Sequence, residues 1–159
     1  MTEPPVPAPQ EFPVKLIDGS PLSHALGFET VSMGAAVATL KAPYLPEMIG
    51  DPDTGVIAGG VVTALLDHAS GQAVFAALGR PTGIATLDLR IDYMRAAEPG
   101  LAIFARAHCY KQTHSICFVR AVAYERDIDD PVATAQAAFM ITNTEAPMRL
   151  EEPATEAGQ

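Results

Sequence analysis

The stretch from Gly55 to Leu78, "GVIAGGVVTALLDHASGQAVFAAL", decides the fold. It is apolar almost throughout, opens on paired glycines and reads as one long buried helix. Its middle holds Asp67 and His68, where a purely structural helix would place another leucine. Residues three and four apart share a helix face. Around Asp67 that face is Gly60, Thr63, Ala64, Ser70 and Gly71, all small enough to admit a neighbouring backbone or a ligand. Val61, Val62, Leu65, Leu66, Ala69 and Ala73 cover the other sides and account for the burial. A mostly buried carboxylate costs several kcal/mol unless it is partnered. Three roles therefore compete for Asp67: a structural acid bonded to an amide or an arginine, an exposed acid, or a catalytic or ligand-orienting one. His68 lies roughly 100° further round the helix and is expected in the core or at an interface.

Gly59 and Gly60 would leave amide N–H groups open at the positive end of the helix, a place that binds an anion or polarises a carbonyl oxygen. Asp67 follows roughly 12 Å further along the axis. One ligand carbonyl cannot touch both within a single chain. If they cooperate, a symmetric dimer with two antiparallel helices side by side would bring each Gly59 to the other chain's Asp67.

On either side of this helix the pattern changes. "PLSHALG" (Pro21 to Gly27) reads as a short helix closed by its glycine. "FETVSMGAAVATLKAP" reads as one strand, and "YLPEMIGDPDTG" as a loop. Beyond Gly79 come four strand-like runs, the first of which alternates Leu87, Leu89, Ile91 and Tyr93 against Thr86, Asp88, Arg90 and Asp92. Strand, long helix and four further strands predict an α+β domain: a central helix wrapped by an antiparallel sheet of about five strands, with the last four expected to form a meander. Phe104, His108, Tyr110, Phe118, Arg120, Val122 and Tyr124 then share the outer face, which is apolar for solvent and suggests burial by another subunit.

Composition narrows the class. A chain of 159 residues, 48% hydrophobic and 18% charged, fits one globular domain. It is expected over residues 15–148, between a disordered proline-rich arm (1–14) and a disordered acidic tail (149–159). The arm has no basic n-region or apolar h-region, so the reading is of a cytoplasmic protein. A net charge of −9 offers no basic field to gather phosphates and argues against a nucleic-acid or membrane partner. Cys109 and Cys117 match no zinc spacing and are read as reduced core thiols; no metal is expected.

Gly55, then Gly59 and Gly60, then Leu65, Leu66 and Asp67, then "TLDLRIDYMRAAEPG" (Thr86 to Gly100) form a combined pattern over about residues 20–143. It resembles the hotdog-fold acyl-CoA thioesterases, in their PaaI-like branch associated with phenylacetate degradation. The resemblance implies that Asp67 is the general base or nucleophile. It implies that the Gly59 amide polarises the thioester carbonyl from the partner subunit, and that Thr86 orients the attacking water. No cofactor is implied, since coenzyme A is part of the substrate. Ala58, Gly60, Thr63 and Ala64 would line the bound ester. Arg95 and His114, with Arg90, Lys111 and Arg120, are candidates for the nucleotide phosphates. Two positions depart from the family: its histidine before the paired glycines is Ala58 here, and its asparagine six residues earlier is Pro52. Neither can supply the side-chain hydrogen bond.

The expectation is a thioester hydrolase acting on a small-molecule acyl-CoA at a site shared between subunits of a homodimer, itself assembled into a tetramer. The alternative is a non-catalytic acyl-CoA or lipid binder on the same fold. A hotdog hydratase would need an Asp and a His about five residues apart at the helix start, where this chain has "GVIAGG". A structural or regulatory oligomer is the third rival.

Overall fold

The computed structural model describes residues 20–80 and 82–142. The expected arm and tail, and both ends of the expected domain, lie outside the described residues. The first helix, α1 (Pro21–Ala25), begins at Ser20, whose hydroxyl accepts a hydrogen bond from the Ser23 amide, with proline at the position where a missing N–H costs nothing. Two strands follow where the sequence suggested one. β1 (Glu29–Gly34) and β2 (Val37–Ala42) form a hairpin whose two-residue turn, Ala35 and Ala36, has φ of 49° and 63°. Left-handed dihedrals at both central positions suit the twist of a tight hairpin. Alanine carries none of the Asn-Gly or Asp-Gly signal that announces such a turn.

The Pro- and Gly-rich segment also has structure. A 3-10 turn (Pro46–Met48) leads into β3 (Ile49–Asp51), which pairs with β4 (Val56–Ile57). Asp51 closes the loop between them, accepting from the Asp53 amide at 3.0 Å and the Thr54 hydroxyl at 2.8 Å. Gly55 belongs to this turn, at φ 73°. The long helix, α2 (Gly59–Leu78), therefore starts four residues later than its apolar stretch does. It stops at Gly79, in the left-handed region at φ 64°.

β5 (Gly83–Tyr93), β6 (Ile103–Gln112), β7 (Ile116–Tyr124) and β8 (Ala133–Thr142) complete a six-stranded antiparallel sheet in the order β1-β2-β6-β7-β8-β5. The count exceeds the expected five because the first strand is a hairpin. The meander is real only for β6, β7 and β8; β5 pairs with β8, at the far edge. The chain therefore crosses from one side of this meander to the other between Tyr93 and Ile103.

Alanine explains how the helix fits. Ala38 and Ala42 on β2, Ala105 and Ala107 on β6, Ala121 and Ala123 on β7, and Ala133, Ala135 and Ala137 on β8 are all buried on the sheet's inner side. Methyl groups let the helix backbone sit close, so Val62, Leu65, Leu66 and Val74 can fill the remaining space at van der Waals density. Gln72, also buried, exchanges hydrogen bonds with Thr30 at 3.0 and 3.2 Å and so ties the helix to β1 without an unsatisfied amide. The arrangement is a helix wrapped by a curved sheet, the hotdog architecture.

Candidate active site

Asp67 lies on the side of α2 turned away from the alanine-lined core. Gly60 is exposed, and Thr63, Ala64, Asp67 and Gly71 are half-buried, so the small-residue stripe is the open side of the helix in one protomer. Ser70 departs from it: by spacing it shares the stripe, but it is fully buried. Thr86 donates to the Oδ1 of Asp67 at 3.0 Å. A defect in β5 makes this contact. Tyr93, Ile91 and Leu89 register with the buried Ala133, Ala135 and Ala137, so they face the helix. Strict alternation would then turn Thr86 outward with Asp88, Arg90 and Asp92. The register slips between Thr86 and Asp88, leaving Leu87 unpaired and placing Thr86 opposite Phe139, whose side chain is buried. A β-bulge thus re-aims one hydroxyl onto one carboxylate.

The N-terminal end of α2 is the second part of the site. Ala58 precedes it and offers no side-chain cap; its amide donates to the Met48 carbonyl at 2.8 Å, and its carbonyl accepts from the Val61 amide at 3.0 Å. The β3–β4 hairpin packs directly beneath: a Cβ at Gly50 would lie 2.8 Å from the Ala58 Cα, so only glycine fits there. Around Gly60 nothing stands within 4 Å of where a Cβ would be. Tyr93, the last residue of β5, donates to the Gly59 carbonyl at 2.7 Å, and Thr63 donates to it at 3.1 Å. The two hydroxyls also meet each other at 2.9 Å. Sequence reading placed Tyr93 in the strand pattern and in the motif that carries the resemblance, with no role of its own; its place at the strand's end was the available signal.

The other candidates are dispersed. His68 points to a different side of α2 from Asp67, where its Nε2 meets the Ser23 hydroxyl at 3.0 Å and its ring lies 6.4 Å from that of Phe28, fastening α1 to the helix. Arg95 is committed to a clamp. It donates to Glu125 at 2.6 Å and to the Asp130 carbonyl at 2.9 Å, with the Asp130 carboxylate 3.2 Å from its Nε. The Glu125 side chain is 3% exposed, so this pair holds the crossover after β5 against the end of β7. The Glu125 hydrogen bond holds the guanidinium above its ordinary basicity. His114 is exposed in the β6–β7 turn, Arg90 pairs with Asp92 at 3.2 Å, and Arg120 stands 4.5 Å over the Tyr110 ring on the outer side of the sheet. Cys109 and Cys117 are buried free thiols; burial, with Cys117 beside it, pushes Cys109 up to about 12. Among the described residues no group of three His, Cys, Asp or Glu side chains could hold a metal ion.

The helix, the wrapped sheet and the acid–hydroxyl pair define a class, and sequence comparison agrees with it. A family model described as the thioesterase superfamily matches residues 54–132. A Pseudomonas aeruginosa protein of solved structure is 35% identical, with 79% of this chain and 93% of that one aligned at a TM-score of 0.73. The medium/long-chain acyl-CoA thioesterase YigI of Salmonella typhimurium is 28% identical over 134 residues, covering 76% of this chain and 85% of its own length. A relative from Halobacterium salinarum is 32% identical over 88 residues, 54% of this chain, and that match spans 58% of the relative's length. The chain belongs to the thioesterase superfamily, a family of thioester hydrolases.

Proposed function

We propose that this chain hydrolyses acyl-CoA thioesters to the free acid and coenzyme A, at a site completed by a second copy of itself. The observation that carries the reading is the 3.0 Å hydrogen bond between Thr86 and Asp67, made only because β5 is bulged. A strand that breaks its own alternation to put a hydroxyl on a half-buried acid gains little in stability from it. As a water-positioning pair it has a purpose: one carboxylate oxygen takes the threonine hydrogen bond, and the other is left to act.

In the proposed reaction the Gly59 amide of one protomer draws electron density from the thioester carbonyl oxygen. Asp67 of the other protomer takes a proton from water as the water oxygen attacks the carbonyl carbon, or attacks that carbon itself to form a mixed anhydride that water then hydrolyses to the free acid and the restored carboxylate. On either route the attack breaks the carbon–sulfur bond, and coenzyme A leaves as the thiolate, which regains a proton. The two-subunit arrangement is supported by the axial separation of Gly59 and Asp67, roughly 12 Å, and by β5, which is one of the two edge strands of the sheet, β1 being the other. Two β5 edges paired about a two-fold axis would satisfy their open backbone groups and set two α2 helices side by side. Further assembly into a tetramer would cover the outer sheet face, where Phe104 and Tyr124 stack at 5.8 Å. The place of work would be the cytoplasm, with no cofactor besides the substrate's own coenzyme A.

The likeness to YigI makes medium and long acyl chains the first to try. A panel of short, medium, long and aromatic acyl-CoA esters, with free thiol measured for the wild type and Asp67→Ala, tests the reading. Release by the wild type and its loss in the variant is the expected result; no release from any ester would sink it. A second reading, a binder without turnover, is favoured by one observation: Ala58 caps the helix without a side chain. In that case Asp67→Ala would leave both binding and the absence of turnover unchanged.

A further inference from the structure

Helix α2 begins on the weakest start available. Ala58 has no side chain to hold the first turn, and two glycines, the residues with most conformational freedom to lose, follow it. Yet an amide that stabilises a developing oxyanion helps only if it is already fixed in place. What fixes it comes from the carbonyl side. The Gly59 backbone carbonyl receives the Tyr93 hydroxyl at 2.7 Å and the Thr63 hydroxyl at 3.1 Å.

That carbonyl belongs to the same peptide group as the Gly60 N–H. Hydrogen bonds accepted at one end of a peptide group polarise it and strengthen the donor at the other. Gly60 is exposed, and nothing stands within 4 Å of where its Cβ would be. Tyr93 is itself held from behind: the next amide, of Met94, donates to the Val132 carbonyl at 2.8 Å, and Arg95 is clamped by Glu125 and Asp130. Tyr93 as a residue remains 50% exposed, so the residue that holds the helix start also borders it.

We infer that Tyr93 and Thr63 are positioning residues for the proposed thioesterase site, acting together on the Gly59 carbonyl to hold in place Gly59, whose N–H is the proposed oxyanion donor, and to polarise the neighbouring Gly60 N–H. The inference rests on the thioesterase reading for its effect on rate, and on geometry alone for its effect on the amide. Tyr93→Phe removes one oxygen and leaves the ring. With the fastest ester of the panel, kcat should fall about tenfold while KM stays within about twofold, a smaller loss than deleting an oxyanion donor outright. Thr63→Val should also lower kcat, whereas Thr63→Ser, which keeps the hydroxyl, should recover most of what valine loses. The double variant Tyr93→Phe with Thr63→Val should lose less than the product of the two single losses, because both act on one carbonyl.

A spectroscopic arm needs no turnover. In the full-length protein the Gly60 amide nitrogen resonance should move upfield in Tyr93→Phe, while resonances in the last turns of α2 stay put. An unchanged kcat in Tyr93→Phe overturns the inference, and so does an unchanged Gly60 resonance. Loss of kcat matched by an equal fall in melting transition and no rescue by serine would reduce both residues to ordinary stabilisers. If the wild type releases no thiol from any ester, the hydrolase reading fails and takes the claim on rate with it. The Gly60 resonance would still decide the claim on the amide.

Discussion

At its C-terminal end α2 stops on Gly79, which takes φ 64° and returns its N–H to the Phe75 carbonyl, whereas at its N-terminal end Ala58 supplies no cap and two glycines follow. The first is the ordinary left-handed stop, which leaves little undone. The second leaves donors open and obtains its rigidity from a strand 34 residues away in sequence, through Tyr93. Helix ends usually satisfy their orphan groups as locally as they can. An end that does the reverse, with no side-chain cap, suits the proposed role of presenting amides to a substrate. The middle of the helix repeats the lesson: where its other faces bury valine and leucine, the Asp67 face stays small, half-open and bonded to a bulged strand.

The contrast between a functional start and a structural stop can be broken by mutation. The largest effect is expected at Asp67→Asn, which keeps an oxygen for the Thr86 hydroxyl but removes the charge. Thiol release should drop about 1,000-fold, while the melting temperature moves by no more than about 2 °C, since the half-open site has little packing to lose. Gly59→Ala sharpens the comparison further. Its Cβ would sit 3.4 Å from the Tyr93 hydroxyl oxygen, ordinary contact, so the methyl is accommodated. Alanine should raise stability by about 0.5–1 kcal/mol through its better helix propensity. Turnover should nevertheless fall about 10-fold or more, because the methyl stands beside the open amides. Stability and rate moving in opposite directions, read by denaturant unfolding and thiol release, would mark an end shaped for chemistry. A variant that lost stability and kept its rate would erase the distinction.

Much of this helix was legible in the sequence, because apolar continuity, a polar interruption and a terminal glycine are local signals. Asp67 stood out as a carboxylate that burial would not tolerate without cause. Its neighbour Thr86 was singled out by resemblance, but the reason the two meet was hidden. Alternation along "TLDLRIDY" groups Thr86 with Asp88, and only a register slip at Leu87 reverses that. A bulge is a relation between two strands, and one strand's letters do not record it. The same limit hid the pairing of β5 with β8, which depends on where a crossover lands. It also hid the hairpin at Ala35 and Ala36, whose positive φ values belong to residues that usually avoid them. Arg95 shows a related limit. A lone arginine looks available in sequence, and its buried partner Glu125 lies 30 residues further along the chain.

At the other end of the helix, Gly79→Ala should cost about 1–2 kcal/mol, the penalty of a Cβ in the left-handed region. Thiol release should stay within about twofold of the wild type, since the residue is far along the axis from both halves of the site. The smallest effect belongs to Ser70. By spacing it is one of the small residues around Asp67, but it is fully buried and its hydroxyl finds no partner among the described residues. An unsatisfied buried hydroxyl is a cost without return. Ser70→Ala should therefore stabilise the fold by about 0.5–1 kcal/mol and leave the rate alone. A fall in kcat instead would mean that the working face of α2 extends a turn beyond the acid, and that the boundary between its two halves has been drawn too early.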